Sequence, residues 1–215
     1  MFSFRNFFIV LVSLFFVAIV PKSFAEPGSM VDVPEGDYKS GPNKKVVNVK
    51  KFSIDTYEVT NAQYKEINKG FDIPAGKEKH PVAEISYFDA EAYCKAVGKR
   101  LPTFNEWEKA ARGTDGREYP WGNKFDPAKA NTLDSDKNGT VAVGSLGKGG
   151  QSPYGAMDMA GNLWEWVDAW DVGEKKYRIS MGGSYFDDGD KARVYSELKS
   201  IPDDQHEYVG FRCAK

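Results

Sequence analysis

Apolar and polar residues alternate over Met30-Val31-Asp32-Val33-Pro34-Glu35-Gly36-Asp37-Tyr38, and the stretch ends in turn residues. The segment therefore predicts a short strand. Val46 to Ile54 alternates again through Val47, Val49, Phe52 and Ile54, which predicts a second strand. The period then changes. Thr60 opens a helix in which Tyr64 and Ile67 are spaced for one face. Ser86 can cap a second helix, with Asp89 three residues on and Ala90, Tyr93, Cys94 and Val97 at helical spacing before Gly98. Thr103 with Glu106 is a capping-box pattern for a third, carrying Trp107, Ala110 and Ala111 to Gly113. From Gly113 to about Ser152 no period survives, and a structureless stretch of that length is improbable inside a compact domain. Something other than a ladder of hydrogen bonds must order it. Short strands return around 162–167, 177–184 and 208–213.

The first 25 residues have a different composition. Arg5 precedes an apolar run from Phe7 to Val20, interrupted only by Ser13, and Ser23-Phe24-Ala25 places small residues at the −3 and −1 positions of a cleavage site. This pattern predicts a secretory signal peptide over 1–25, because a spanning helix needs roughly 20 apolar residues. The remainder, 26–215, fits one domain without internal repeats. The expected destination is the periplasm or the medium, with no membrane attachment after signal cleavage. With 29 basic and 31 acidic side chains, no clustered charge suggests nucleic acid. Two cysteines in an exported chain favour one disulfide, with two buried thiols as the alternative. Two cysteines and two histidines are too few for an ordinary closed zinc site without carboxylates.

A series of short blocks then narrows the field. Glu58-Val59-Thr60-Asn61 is followed by His80-Pro81-Val82, Ala92-Tyr93-Cys94, Lys99-Arg100-Leu101-Pro102-Thr103 and Glu106-Trp107-Glu108. Tyr119-Pro120-Trp121-Gly122, Asp158 to Trp166, Gly182-Gly183-Ser184 and Val209-Gly210-Phe211-Arg212-Cys213 complete the order. The series resembles the formylglycine-generating enzyme, or sulfatase-modifying factor, family over essentially the whole chain from Met30. That resemblance implies an α+β fold related to C-type lectins, with little regular secondary structure. It does not by itself fix function, since relatives include oxidases, sulfoxide synthases, pyoverdine-maturation proteins and ligand-binding proteins.

The oxidases of the family bind copper through two cysteines that follow the Gly-Gly-Ser block. The matching positions here are Asp187 and Ala192, and neither offers the soft thiolate that Cu(I) needs. The two cysteines fall instead where the family makes its structural bridge, which implies a Cys94–Cys213 disulfide. Asp187, Asp188 and Asp190 could hold a hard cation or attract a basic ligand, or could simply form a solvated turn. Trp107, Trp164 and Trp166 read as core, whereas Trp170 and Tyr185 are candidates for a cleft. Arg193 is the remaining candidate reactive group near that cleft.

The resemblance also implies structural calcium. One site would use the side chains of Asp158 and Glu165 with the carbonyls of Gly161 and Leu163. A second would use Asn131, the Thr132 carbonyl, Asp136 and the Asn138 carbonyl, although the chain is one residue short between Asp136 and Thr140. The alternative is that Asp158 and Glu165 pair with nearby basic residues or backbone amides. The expected protein is thus an exported, calcium-stabilised binding or accessory protein with a periplasmic ligand or protein partner. A periplasmic maturation enzyme resembling the pyoverdine-pathway member of the family is the second expectation.

Overall fold

A computed structural model describes residues 28–173 and 175–215; the signal peptide expected over 1–25 lies outside the described residues. The first two predicted strands each break in the middle. Met30–Val33 (β1) and Gly36–Ser40 (β2) are separated at Pro34-Glu35, and Lys45–Val49 (β3) and Phe52–Asp55 (β4) at Lys50-Lys51. β1 pairs antiparallel with β4, and β2 with β3, in two small sheets. Pro34 has no N–H to continue a ladder, so a break there costs least. The carbonyls freed at the turn are not left unpaired: buried Lys109 donates through Nζ to Pro34 O at 2.7 Å and Gly36 O at 2.8 Å.

The three helices form where their caps place them. Asn61–Ile67 (α1) starts at Thr60 and Tyr87–Ala96 (α2) at Ser86, whose Oγ accepts from the Asp89 N–H. Phe104–Arg112 (α3) starts at Thr103 with a complete capping box to Glu106. The α1 face differs from expectation: Tyr64 is buried, but Ile67 is 46% exposed. A seven-residue helix docks through one turn, and the neighbour at Ile67 is solvent.

The C-terminal third forms a four-stranded sheet from Trp164–Trp170 (β5), Arg178–Met181 (β6), Glu197–Ser200 (β7) and Val209–Gly210 (β8), in the order β7-β6-β5-β8. β7 has no strong sequence signal, because its partly exposed ELKS pattern carries one apolar residue. β8 pairs parallel with β5, and the other neighbours are antiparallel. Two apolar cores flank this sheet. One gathers Trp107, Met159, Met181 and Val194; the other gathers Tyr64, Tyr93, Trp164, Trp166 and Phe211 around Cys94 and Cys213. These cysteines are joined in the structure, tying α2 to the chain end with their Cα atoms 5.7 Å apart.

The aperiodic middle contains only two short 3-10 turns, Leu133–Ser135 and Lys148–Gly150. Buried side-chain groups supply the order that no ladder provides. Asn131 Nδ2 donates to Gly139 O, Asn162 Oδ1 accepts from the Val141 N–H, and Asp158 Oδ2 accepts from the Gly144 N–H. Gly161 makes this possible. At its φ of 78° a Cβ would sit 2.3 Å from Asn131 O, so only glycine lets the two loops meet.

Candidate functional site

The stretch expected to hold calcium is packed against the chain terminus. Arg212, fully buried, aims Nε at Glu165 Oε2 (2.6 Å) and Nη2 at Glu165 Oε1 (2.7 Å), and its remaining donors reach the carbonyls of Asp55, Thr56 and Met157. Trp107 Nε1 donates to the same carboxylate at 2.7 Å. A planar guanidinium meeting a planar carboxylate through two parallel bonds is the strong form of this pair. Glu58 lies beside it, held by Asn162 Nδ2 at 3.2 and 2.9 Å. Three buried carboxylates, Glu58, Asp158 and Glu165, thus surround one guanidinium. Burial and the neighbouring carboxylates push Glu58 well above the usual carboxylate range. Burial is also the main cause that raises Asp158 to about 6.

As donors for calcium these groups fit in part. Asp158 and the carbonyls of Gly161 and Leu163 are oxygen ligands of the right kind. Glu165 is already engaged: Oε2 accepts from Arg212 and Trp107, and Oε1 accepts from Arg212 alone, which leaves Oε1 one further acceptor site. At the second stretch, Asn131 and Thr132 are buried, whereas Asp136 and Asn138 are exposed. Ser135 Oγ donates to Thr132 O at 2.7 Å and lies 3.2 Å from Asn131 Oδ1. Among the described residues no group of three or more His, Cys, Asp or Glu side chains is gathered to hold a metal.

The two positions that follow Gly-Gly-Ser are built into the scaffold. Asp187 Oδ2 accepts from Trp164 Nε1 (2.8 Å), the Ser184 N–H (3.0 Å) and Ser184 Oγ (2.5 Å). Ala192 is fully buried against Gly183, where a Cβ at φ 78° would lie 2.9 Å from Ala192 Cα. The acidic loop beyond is a turn: Asp188 Oδ1 accepts from the Asp190 and Lys191 N–H groups. Arg193 pairs with Asp190 (2.7 Å) and Glu118 (2.9 Å) rather than standing free. Trp170 lies over Arg178, whose other face covers the Tyr87 ring, so Trp170 is not in a cleft with Tyr185.

Tyr185 does line a cleft, of about 500 Å³, between α1, the 71–85 segment, the 139–140 turn and the 201–208 loop. Its walls carry Asp72, Glu84, Asp89 and Glu207 against one base, Lys77. The Tyr185 phenol is pushed up by burial and by the carboxylates of Glu207 and Glu84, which line the same cleft. Glu84 takes a left-handed φ of 56°, and its N–H donates to His206 O. An aromatic strip continues outward: Tyr185 to Phe186 at 4.4 Å, Phe186 to Tyr208 at 5.9 Å, and Tyr208 stacked on His206 at 5.0 Å. Sequence reading placed only Tyr185 in a cleft, because the other wall residues come from α1, 71–89, 139–140 and 205–207, which share no motif.

The fold and this site define a formylglycine-generating-enzyme-type domain with no thiolate pair beside its Gly-Gly-Ser turn. The sequence profile of the sulfatase-modifying factor enzyme 1-like domain matches residues 17–215, and the chain belongs to that family. It is 32% identical over 250 aligned positions to the inactive C-alpha-formylglycine-generating enzyme 2 of Bos taurus, covering 85% of this chain and 83% of the relative. Among solved structures it is similar to Treponema denticola variable protein 1 (20% identity, TM-score 0.74, 86% of this chain and 94% of that one). It is also similar to PvdO from Pseudomonas aeruginosa (22%, 0.71, 89% and 99%). At these identities the two solved structures speak for the fold alone.

Proposed function

We propose that this chain is an exported member of the family that binds a ligand or protein partner and does not oxidise cysteine. The observation that carries the reading is the bonding at Asp187. Its carboxylate is fixed by Trp164 and Ser184 at the position where a thiolate would be needed, and Ala192 is sealed against Gly183. Neither can bind Cu(I) or exchange disulfides with a substrate. Both cysteines are committed to one bridge, and no free cysteine is found among the described residues. The similarity to a relative named as inactive supports the same reading. Incubation with a sulfatase-motif peptide, with and without copper, followed by mass spectrometry, tests it. The peptide cysteine is expected to keep its sulfur, and conversion to formylglycine would overturn the reading.

Export to the periplasm or medium is supported by the N-terminal pattern and by a disulfide, which persists in oxidising compartments. No helix among the described residues is long and apolar enough to cross a membrane. Structural calcium is supported by the charge count, since three buried carboxylates share the single guanidinium of Arg212 and a divalent cation near Asp158 would offset the excess. Glu165 would enter such a site through Oε1, whose one partner is Arg212 Nη2.

A further inference from the structure

We propose that Asn138-Gly139 is a self-modification site, at which the chain converts an asparagine amide into a carboxylate without a partner enzyme. The inference is independent of what the protein binds. Asn138 is the one asparagine in the sequence that a glycine follows. Glycine has no Cβ, so its backbone nitrogen is open to close approach by the amide carbon of the preceding side chain. The Gly139 nitrogen loses its proton and bonds to Asn138 Cγ, the Cγ–Nδ2 bond breaks, and the side-chain nitrogen leaves as ammonia. Water then opens the resulting cyclic imide at either carbonyl. One opening gives aspartate. The other gives isoaspartate, in which the backbone runs through the former side chain and is longer by a methylene. Asparagine and water are consumed, a carboxylic acid and ammonia are formed, and no oxidant or cofactor enters.

The fold leaves this pair free and pins what surrounds it. Asn138 is exposed, and among the described residues neither its amide nor the Gly139 N–H has a hydrogen-bond partner. The asparagines packed behind the loop are different. Asn131 and Asn162 are buried, with Asn131 Nδ2 donating to Gly139 O at 3.0 Å and to Asn162 Oδ1 at 3.1 Å, and Asn162 Nδ2 donating to Glu58. Gly139 has a φ of 89°, which side-chain-bearing residues rarely adopt, so the turn requires the same glycine that makes its neighbour reactive. Just downstream, Thr140 Oγ1 lies 3.0 Å from His80 Nδ1, and the Val141 N–H donates to Asn162 Oδ1 at 3.0 Å. A backbone lengthened at 138 is therefore expected to displace Gly139 O from Asn131 Nδ2 and loosen the loop. The new carboxylate joins the exposed Asp134 and Asp136, with Lys137 the one base in 131–141.

The full exported chain with its disulfide intact, kept for days at neutral pH beside a freshly purified sample, tests this. Peptide mapping by mass spectrometry reads the exchange of NH2 for OH at every asparagine, and isoaspartyl methyltransferase labels the isoaspartate. Ring closure is limited by how readily the backbone nitrogen reaches Cγ, so Asn138 is expected to convert about tenfold or more faster than any other asparagine. Isoaspartate is expected among the products. Asn138→Gln, whose longer side chain closes a ring less readily, is expected to stay unmodified at that position. The aged parent should unfold at a lower urea midpoint than the fresh parent, whereas aged and fresh Asn138→Gln should match. Asn138→Asp adds the charge without the methylene and should keep the fresh parent's midpoint. An Asn138 that stays intact, or converts no faster than other asparagines, overturns the proposal. Conversion with an unchanged midpoint, or an Asn138→Asp variant that falls as far as the aged parent, overturns the loosening by a lengthened backbone.

Discussion

Arg212 makes five hydrogen bonds to Glu165 and to three carbonyls from two other segments, all without solvent. Removing one partner of a buried ion pair leaves an uncompensated charge, which costs about 3–5 kcal/mol. Arg212→Met is therefore expected to lower unfolding free energy in urea by about that amount, because Glu165 joins Glu58 and Asp158 as a third unopposed carboxylate. Pairing it with Glu165→Gln should recover part of the loss, which a double-mutant cycle measures. Equal losses in the single and double variants would mean the pair is not coupled. The same geometry bears on sequence reading. Glu165 was legible as a residue that either ligates or pairs, but the choice of Arg212, 47 positions away, was not.

At the scale of elements, α3 is held at its start by a local device. Thr103 Oγ1 accepts from the Glu106 N–H, Glu106 accepts in return from the Thr103 N–H, and Arg100 grips the same carboxylate at 2.7 and 2.6 Å. Burial alone would raise the Glu106 carboxyl, yet Arg100 and Thr103 hold it below its ordinary value of 4.5. A depressed folded-state value means the carboxylate stabilises the fold above the unfolded range and loses that contribution as pH falls through the lower folded value. The stability difference between the parent and Glu106→Gln should accordingly be full at neutral pH and shrink below about 4.5. Urea midpoints across that range check it, and a difference that grows on acidification would contradict the sign. Thr103→Ala should cost about 1 kcal/mol at neutral pH. Caps of this kind span three residues, so all three helix starts could be read from sequence. The strand breaks at Pro34 and at Lys50-Lys51 were less legible. There the alternating pattern runs on, and only the buried Lys109, bonded to Pro34 O and Gly36 O, shows why the chain turns.

At the scale of the whole molecule, the Cys94–Cys213 bridge closes a loop of 119 residues. The chain-entropy account gives it about 4–5 kcal/mol of stability. Cys94→Ala with Cys213→Ala should lower the urea midpoint accordingly, and an unchanged midpoint would mean that packing of Tyr64, Tyr93 and Phe211 holds the ends together without it. Calcium acts at the same scale, since it would tie the 131–144 loops to the 158–165 stretch. If it binds the folded state alone, saturation at about a hundredfold over the dissociation constant adds roughly 2.7 kcal/mol. Melts in chelator and in excess calcium should then differ by several degrees. Identical melts, with no metal retained after dialysis, would leave Arg212 and the buried amides as the whole of the ordering.

What the sequence determined by itself was local or carried by ordered motifs: the helix caps, the family, the cysteine bridge, and the lack of thiols at 187 and 192. Each depends on residue identity at short spacing or on a linear order that any folded form must keep. The tertiary structure decided the rest. It joined Glu165 to Arg212, gave Asp187 to Trp164 and Ser184, set Trp170 on Arg178 away from Tyr185, and assembled the acidic cleft from segments more than a hundred residues apart. These are pairings of side chains across loops without periodicity. Which groups meet there depends on how the backbone closes, and on glycines such as Gly161 that let two loops touch.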